Sequence, residues 1–212
     1  MDTDLASFDE GHNAARIIDS GTRKKKIMTL INTNACSLTP KIESLVDCFE
    51  ELDVDMAVVK ETWLWDGPAL TRDLEDLEDG AGLITLTLNR DPHPVMGVSH
   101  GGVAFIYKKK IGSFKKIDFH NPEKFEILPV IGTVRGTSRK MVVVSVYIPP
   151  NYNIPRGSAC LDAVEGLVLE IKAKYRDPYI IVAGDFNQWR IQDSLQEFAD
   201  ISESLVGPTR GD

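Results

Sequence analysis

The sequence predicts an α/β domain built on one core, with parallel and antiparallel strands mixed in its sheets, and three stretches carry that expectation. Residues 27–63 read as strand, helix, strand, the unit whose two strands run parallel. Residues 125–134 and 140–148 read as an antiparallel pair joined by Arg135-Gly136-Thr137-Ser138. Residues 179–183, Y-I-I-V-A, read as a fully buried strand, broken by Gly184 and followed at once by Asp185 and Asn187.

The length of 212 residues, 42% hydrophobic and 26% charged, suits a single sizeable domain. The net charge of −8 argues against a general nucleic-acid coat, because phosphate binding without sequence preference needs a positive surface. A metal-assisted nuclease stays compatible with that charge, since a divalent ion and a local basic patch can face the phosphates. Cys36, Cys48 and Cys160 have no metal-type or redox spacing and are expected as reduced, buried thiols of an intracellular protein. No apolar run approaches membrane-spanning length and the N-terminus lacks a secretory pattern, so the chain is expected to be soluble and not secreted.

In chain order, residues 1–25 are expected as a polar, flexible leader ending in the solvated run Arg23-Lys24-Lys25-Lys26, with the folded domain over 26–212. A β-prone run over 27–31 ends in Asn32-Thr33-Asn34. Thr39 is then expected as an N-cap, with Pro40 at the first helical position, and Ile42, Leu45, Val46, Phe49 and Leu52 form one apolar stripe. The strand over 56–59 ends at Lys60-Glu61-Thr62-Trp63. The acidic run over 73–79 is given no role, being the kind of charge cluster that is usually solvated. Residues 83–88 alternate Leu/Ile with Thr, the period of a half-buried strand, and Gly101-Gly102 precede a strand over 103–107. Lys108–Lys110 and Lys115–Lys116 are expected on a hairpin-like connection, protecting an edge strand or touching a nucleic-acid backbone. Leu161, Val164, Leu167, Val168 and Ile171 mark a second helix, stopped at Asp177-Pro178, and Leu195, Phe198, Leu205 and Val206 suggest a last, broken one.

Asn32, Glu61, Tyr147, Asp185 and Asn187 each fall at or just beyond a strand end. If those ends share a rim, Glu61, the neutral amides and a second carboxylate form the oxygen-rich set that a Mg²⁺ ion shares with a substrate phosphate, with Asp185 placed to orient or deprotonate an attacking water. Alternatives stay open for single residues: Gly-Asp-x-Asn is also good turn chemistry, and a tyrosine late in a strand is often a core aromatic with its hydroxyl at the rim.

The motifs I-M-T-L-I-N-T-N, V-V-K-E-T-W-L, G-G-V-A-F-I-Y, V-V-S-V-Y-I-P-P-N, I-V-A-G-D-F-N and G-P-T-R-G-D, in this order, resemble the endonuclease/exonuclease/phosphatase superfamily, and most closely the apurinic/apyrimidinic-like endonuclease domain of non-LTR retrotransposons. The resemblance implies a four-layer α/β/β/α sandwich of two mixed sheets. It implies Glu61 as metal ligand with Asn32 beside the metal, Tyr147 approaching the scissile phosphate, Asp185 aligning the water, Asn187 orienting the phosphate and Thr209 shaping the site. Asn34 and Asn151 are candidates for substrate contact. Mg²⁺ is the implied cofactor, with Mn²⁺ able to replace it, and the DNA backbone the implied partner, with nuclear localisation if the chain acts as a retroelement nuclease. No membrane or obligate protein partner is indicated.

Two departures stand out. Lys60 replaces a frequent Gln, with an effect expected only at the rim. The family continues with an aspartate-bearing strand and a Ser-Asp-His ending whose histidine contacts the phosphate, and His12, His93, His100 and His120 match no such position; they are expected as surface or loop residues. Loss of such a group is expected to lower the rate by about 10²–10³ and to leave neighbouring strands unpaired, so cleavage by this chain is expected to be impaired. The competing readings are a phosphoesterase of the same fold acting on RNA tails, inositol phosphates or sphingolipids, and a catalytically inactive relic or binding fragment.

Overall fold

A computed structural model describes residues 13–19, 26–64, 81–89, 100–198 and 203–204. The strands are β1 (Asn13–Asp19), β2 (Lys26–Asn34), β3 (Met56–Lys60), β4 (Leu83–Leu88), β5 (Val103–Lys108), β6 (Gly112–Lys116), β7 (Glu126–Val134), β8 (Lys140–Tyr147), β9 (Tyr179–Asp185) and β10 (Glu203–Ser204). The helices are α1 (Ile42–Glu51), α2 (Ile154–Lys174) and the single turn α3 (Ile191–Ser194). One sheet has six strands in the order β10-β1-β2-β3-β5-β4, and the other four in the order β6-β7-β8-β9. Both are mixed: β2 and β3 pair in parallel, as do β8 and β9, and their other pairings are antiparallel.

Strand alternation divides the apolar side chains into three cores. Met28, Leu30, Met56, Val58, Phe105 and Tyr107 of the first sheet meet Leu128, Val130, Met141 and Val143 of the second between the sheets. On the outer face of the first sheet, Ile31, Ala57, Val59, Ala104 and Ile106 receive Leu45 and Phe49 of α1. On the outer face of the second, Val142, Val144 and Val146 receive Val164, Leu167, Val168 and Ile171 of α2. The layers are therefore helix, sheet, sheet, helix, the expected sandwich. Each fully buried Leu, Val or Phe contributes about 1.5–3 kcal/mol, so the central core, fed by both sheets, locks their strand ends together.

Several expectations need correction. Asn13–Asp19 is a strand paired along its length with β2, where a leader was expected through residue 25. Thr39 lies inside a 3-10 turn (Thr39–Lys41) and caps nothing; α1 begins after it, and Leu52 is exposed at its end. Lys108–Lys110 do not sit on a hairpin: β5 and β6 belong to different sheets, and a 3-10 turn carries the chain between them. Lys115 and Lys116 do lie on an edge strand, where their charge opposes edge-to-edge pairing. β9 is half-buried throughout rather than fully buried, and among the described residues it pairs only with β8. Cys36 is exposed, Cys48 half-buried and Cys160 buried. The acidic run over 73–79, Leu205, Val206 and Thr209 fall outside the described residues. Among those described, no helix is long and apolar enough to cross a membrane.

Candidate active site

Because β2 and β3 run parallel, as do β8 and β9, all four C-terminal ends can deliver side chains to one rim of the crevice between the sheets. Alternation places Asn32, Asn34, Lys60, Tyr147 and Asp185 on the strand faces that carry the central core. Glu61 follows β3 directly. The Asn34 amide nitrogen donates to Glu61 Oε1 at 2.7 Å and stands 3.5 Å from Asp185 Oδ2. One carboxamide thus touches acids from both sheets. The Tyr147 hydroxyl donates to the same Glu61 oxygen at 2.9 Å. Asn32 donates to Gly184 O at 3.0 Å and accepts from Lys60 Nζ at 2.9 Å.

The loops leaving these strands are interlocked by backbone hydrogen bonds. Ser37 N and Leu38 N donate to Glu61 O and Thr62 O, both at 2.9 Å, while Trp63 N donates to Gly101 O at 2.9 Å. Gly102 N in turn donates to Glu126 Oε2 at 2.5 Å. Cys36, Ser37, Glu61, Trp63 and Asn187 all adopt positive φ in these loops, conformations that non-glycine residues hold only when the surroundings enforce them. On β9 the turn chemistry and the site chemistry coexist. Asn187 N donates to Asp185 Oδ1 at 3.0 Å, and the Asn187 amide donates to Ile148 O at 2.8 Å, stapling the rim of β8 to that of β9.

The electrostatics follow from burial. Tyr147 is 6% exposed; burial first, then its bond to Glu61, holds its hydroxyl far above the ordinary value, so it stays a proton donor. Lys60 is 2% exposed, and burial lowers its ammonium from an ordinary 10.5 to about 8, against the upward pull of Asp185 and Glu61. The expectation that Lys60 affects only the rim is therefore overturned: its side chain lies in the crevice among the acids. Glu126, 6% exposed and bracing the Gly101-Gly102 turn, was also missed. Lys60 was readable, because the alternation that buries Met56 and Val58 between the sheets carries Lys60 to the same face. Glu126 gives no such signal, being one acid at the head of an apolar run.

In metal-free solution the folded chain resists charging Lys60, whereas the unfolded chain takes the proton up to about pH 10.5, so stability rises with pH between about 8 and 10.5. We expect Lys60→Met to flatten that rise, as urea melts in EDTA at pH 7 and pH 10 would show.

Asn151 is exposed in the turn after β8, and no hydrogen bond ties it to the cluster. His100 is exposed and packs edge-on against Trp63 at 4.6 Å; His120 is exposed as well. Lys108–Lys110 lie at the opposite end of the sheet, since Lys108 N donates to Asp55 O just before β3 begins.

Among the described residues no three His, Cys, Asp or Glu side chains converge. Two carboxylates are hard oxygen donors that fit Mg²⁺, which keeps several waters and shares its shell with a phosphate, while Asn34 turns its amide nitrogen toward them and its oxygen toward Cys36 N. A rim of this composition, at the strand ends of a four-layer sandwich, suits hydrolysis of phosphate esters. The chain belongs to the Endonuclease/Exonuclease/phosphatase family, a family of phosphodiester hydrolases that are typically metal-dependent; the family model matches residues 13–211. Among solved structures it is similar to humanized TDP2 of D. rerio, with 14% identity, a TM-score of 0.54, and coverage of 80% of this chain and 69% of that one. It is also similar to an AP endonuclease from Archaeoglobus fulgidus, with 16% identity, a TM-score of 0.50, and coverage of 75% and 57%. A third similar structure is the 3′ phosphatase NExo from Neisseria bound to a product DNA hairpin, with 15% identity, a TM-score of 0.50, and coverage of 74% and 56%. These likenesses show the fold. No curated protein matches the chain.

Proposed function

We propose that the chain is a Mg²⁺-dependent phosphodiesterase acting on DNA, an endonuclease domain of retrotransposon origin that nicks its target in the nucleus. The observation that carries the chemistry is the Asn34 amide in reach of both Glu61 and Asp185, which puts acids from two sheets on one rim. Glu61 would hold the ion, with Asn34 and Asn32 beside it, and the ion would supply neutralisation of charge on the phosphate oxygens. Asp185 takes the proton of the attacking water, Tyr147 fixes the Glu61 carboxylate through its hydrogen bond, and Asn187, at the tip of the β9 turn, orients the phosphate. The retroelement assignment is supported by the loops around Trp63 and Asn151 and by the motifs that contain them.

The test is conversion of supercoiled plasmid to nicked circles by this chain with Mg²⁺, with EDTA, and with EDTA followed by excess Mg²⁺. Nicking that disappears with EDTA and returns with Mg²⁺ is the expected result. Metal-dependent hydrolysis of RNA tails or inositol phosphates with plasmid left intact would favour the other substrates of the fold, and failure on all of them would favour the inactive fragment.

A further inference from the structure

Lys60 is the one group in the crevice that an acid-and-amide site does not require. It ends β3 at 2% exposure, on the face that carries the central core, so its stem is enclosed between the two sheets. Its described hydrogen-bond partner is neutral, Asn32 Oδ1 at 2.9 Å; Glu61 is the next residue of the chain, and Asp185 follows Gly184, whose carbonyl accepts from the same Asn32. Both acids are in contact with Asn34. The charges around any ion held there are therefore two carboxylates and one ammonium, half the net negative charge the acids alone would present. In a partly buried site, a whole unit of charge beside the ion outweighs the hydrogen-bond adjustments that a substitution brings.

We propose that Lys60 is a built-in cation of the site: it offsets one carboxylate, so that the chain binds a single divalent ion weakly. This rests on the metal-assisted reading above and adds to it a residue that sets metal affinity. Through its bond to Asn32, whose amide reaches Gly184 O at 3.0 Å, Lys60 also ties β3 to β9 beside Asp185. The positive charge thus stays at a fixed place relative to both acids. Arg at this position would keep the charge; Gln or Met would remove it and leave the acids to attract the ion unopposed.

The experiment is Mn²⁺ binding to the intact chain at pH 7, followed by the loss of the free-ion paramagnetic resonance signal, with no substrate present. Lys60→Gln is expected to bind Mn²⁺ about tenfold or more tighter than the wild type, and Lys60→Arg close to it. Glu61→Gln is expected to weaken binding in either background. Lys60→Met, checked like the others by far-UV spectrum and melting, stands in if the Gln variant does not fold. If Glu61→Gln weakens binding while neither neutral Lys60 variant tightens it, the role of Lys60 is overturned and the metal-assisted reading stands. If Glu61→Gln leaves Mn²⁺ binding unchanged, both fall.

Discussion

Asp185→Asn is expected to lower the rate of Mg²⁺-dependent cleavage by about 10²–10⁴-fold while leaving the fold intact. The amide keeps an oxygen able to accept from Asn187 N at 3.0 Å, and the strand pairing of β9 does not involve the side chain. What it loses is the ability to take a proton. The position to compare is Glu61, whose Oε1 already accepts from Asn34 and Tyr147. Neutralising Glu61, the proposed ligand, acts through ion affinity, so its effect is largely relieved by saturating Mg²⁺, whereas Asp185→Asn keeps most of its rate deficit at saturating Mg²⁺. Rates of nicking of supercoiled plasmid across a Mg²⁺ series separate the two. An undiminished rate for Asp185→Asn, or equal rescue of both variants by Mg²⁺, would remove Asp185 from the role of base.

The parts of the site that were legible in the sequence share one signature: an apolar strand that stops abruptly at a polar residue. Asn32, Glu61, Tyr147 and Asp185 all carry it, and the parallel pairings of β2 with β3 and β8 with β9 convert four separate endings into one rim. The signature does not say which way the last side chain of the run points. Lys60 is the last residue of β3, yet a charged residue after an apolar run reads as the first residue of a loop. Periodicity is also silent about lateral neighbours. The Y-I-I-V-A run is apolar enough for an interior strand, but whether a strand lies on each side is a matter of topology, and β9 has a described partner on one side alone. β1 was missed for the opposite reason. Its two large apolar residues, Ile17 and Ile18, are adjacent, so neither the strand nor the helix period shows, and what makes it a strand is its seven-residue pairing with β2. The short link between β5 and β6 has hairpin length, and only the division of the cores shows that it passes from one sheet to the other.

The second large effect belongs to the glycine that precedes Asp185. A Cβ at Gly184 would stand 2.0 Å from Val146 O and 2.8 Å from Val146 C, so the obstruction is backbone of the neighbouring strand and cannot rotate away. Val146 is its register partner across the parallel β8–β9 pair, and Asn32 donates to the Gly184 carbonyl at 3.0 Å. Gly184→Ala must therefore push β9 off β8 at the point where both the sheet and the site are joined. The expected result is destabilisation of about 3 kcal/mol or more, the upper end for overpacking, which for a chain of this size lowers the melting temperature by roughly 6–12 °C. Gly136→Ala is the control: its glycine has positive φ, at +86°, but nothing lies within 4 Å of the added carbon, so only about 1 kcal/mol is at stake. The two variants also differ in what they do to the site. Gly136 sits in the turn between β7 and β8, remote from the rim, and its variant should keep wild-type Mn²⁺ binding at any temperature where it is folded. The Gly184 variant should lose Mn²⁺ affinity even well below its melting point, because Asp185 moves with the displaced strand. Equal melting temperatures for the two variants would mean that β9 can shift without loss, and that the close approach of Gly184 to Val146 does not fix the position of Asp185.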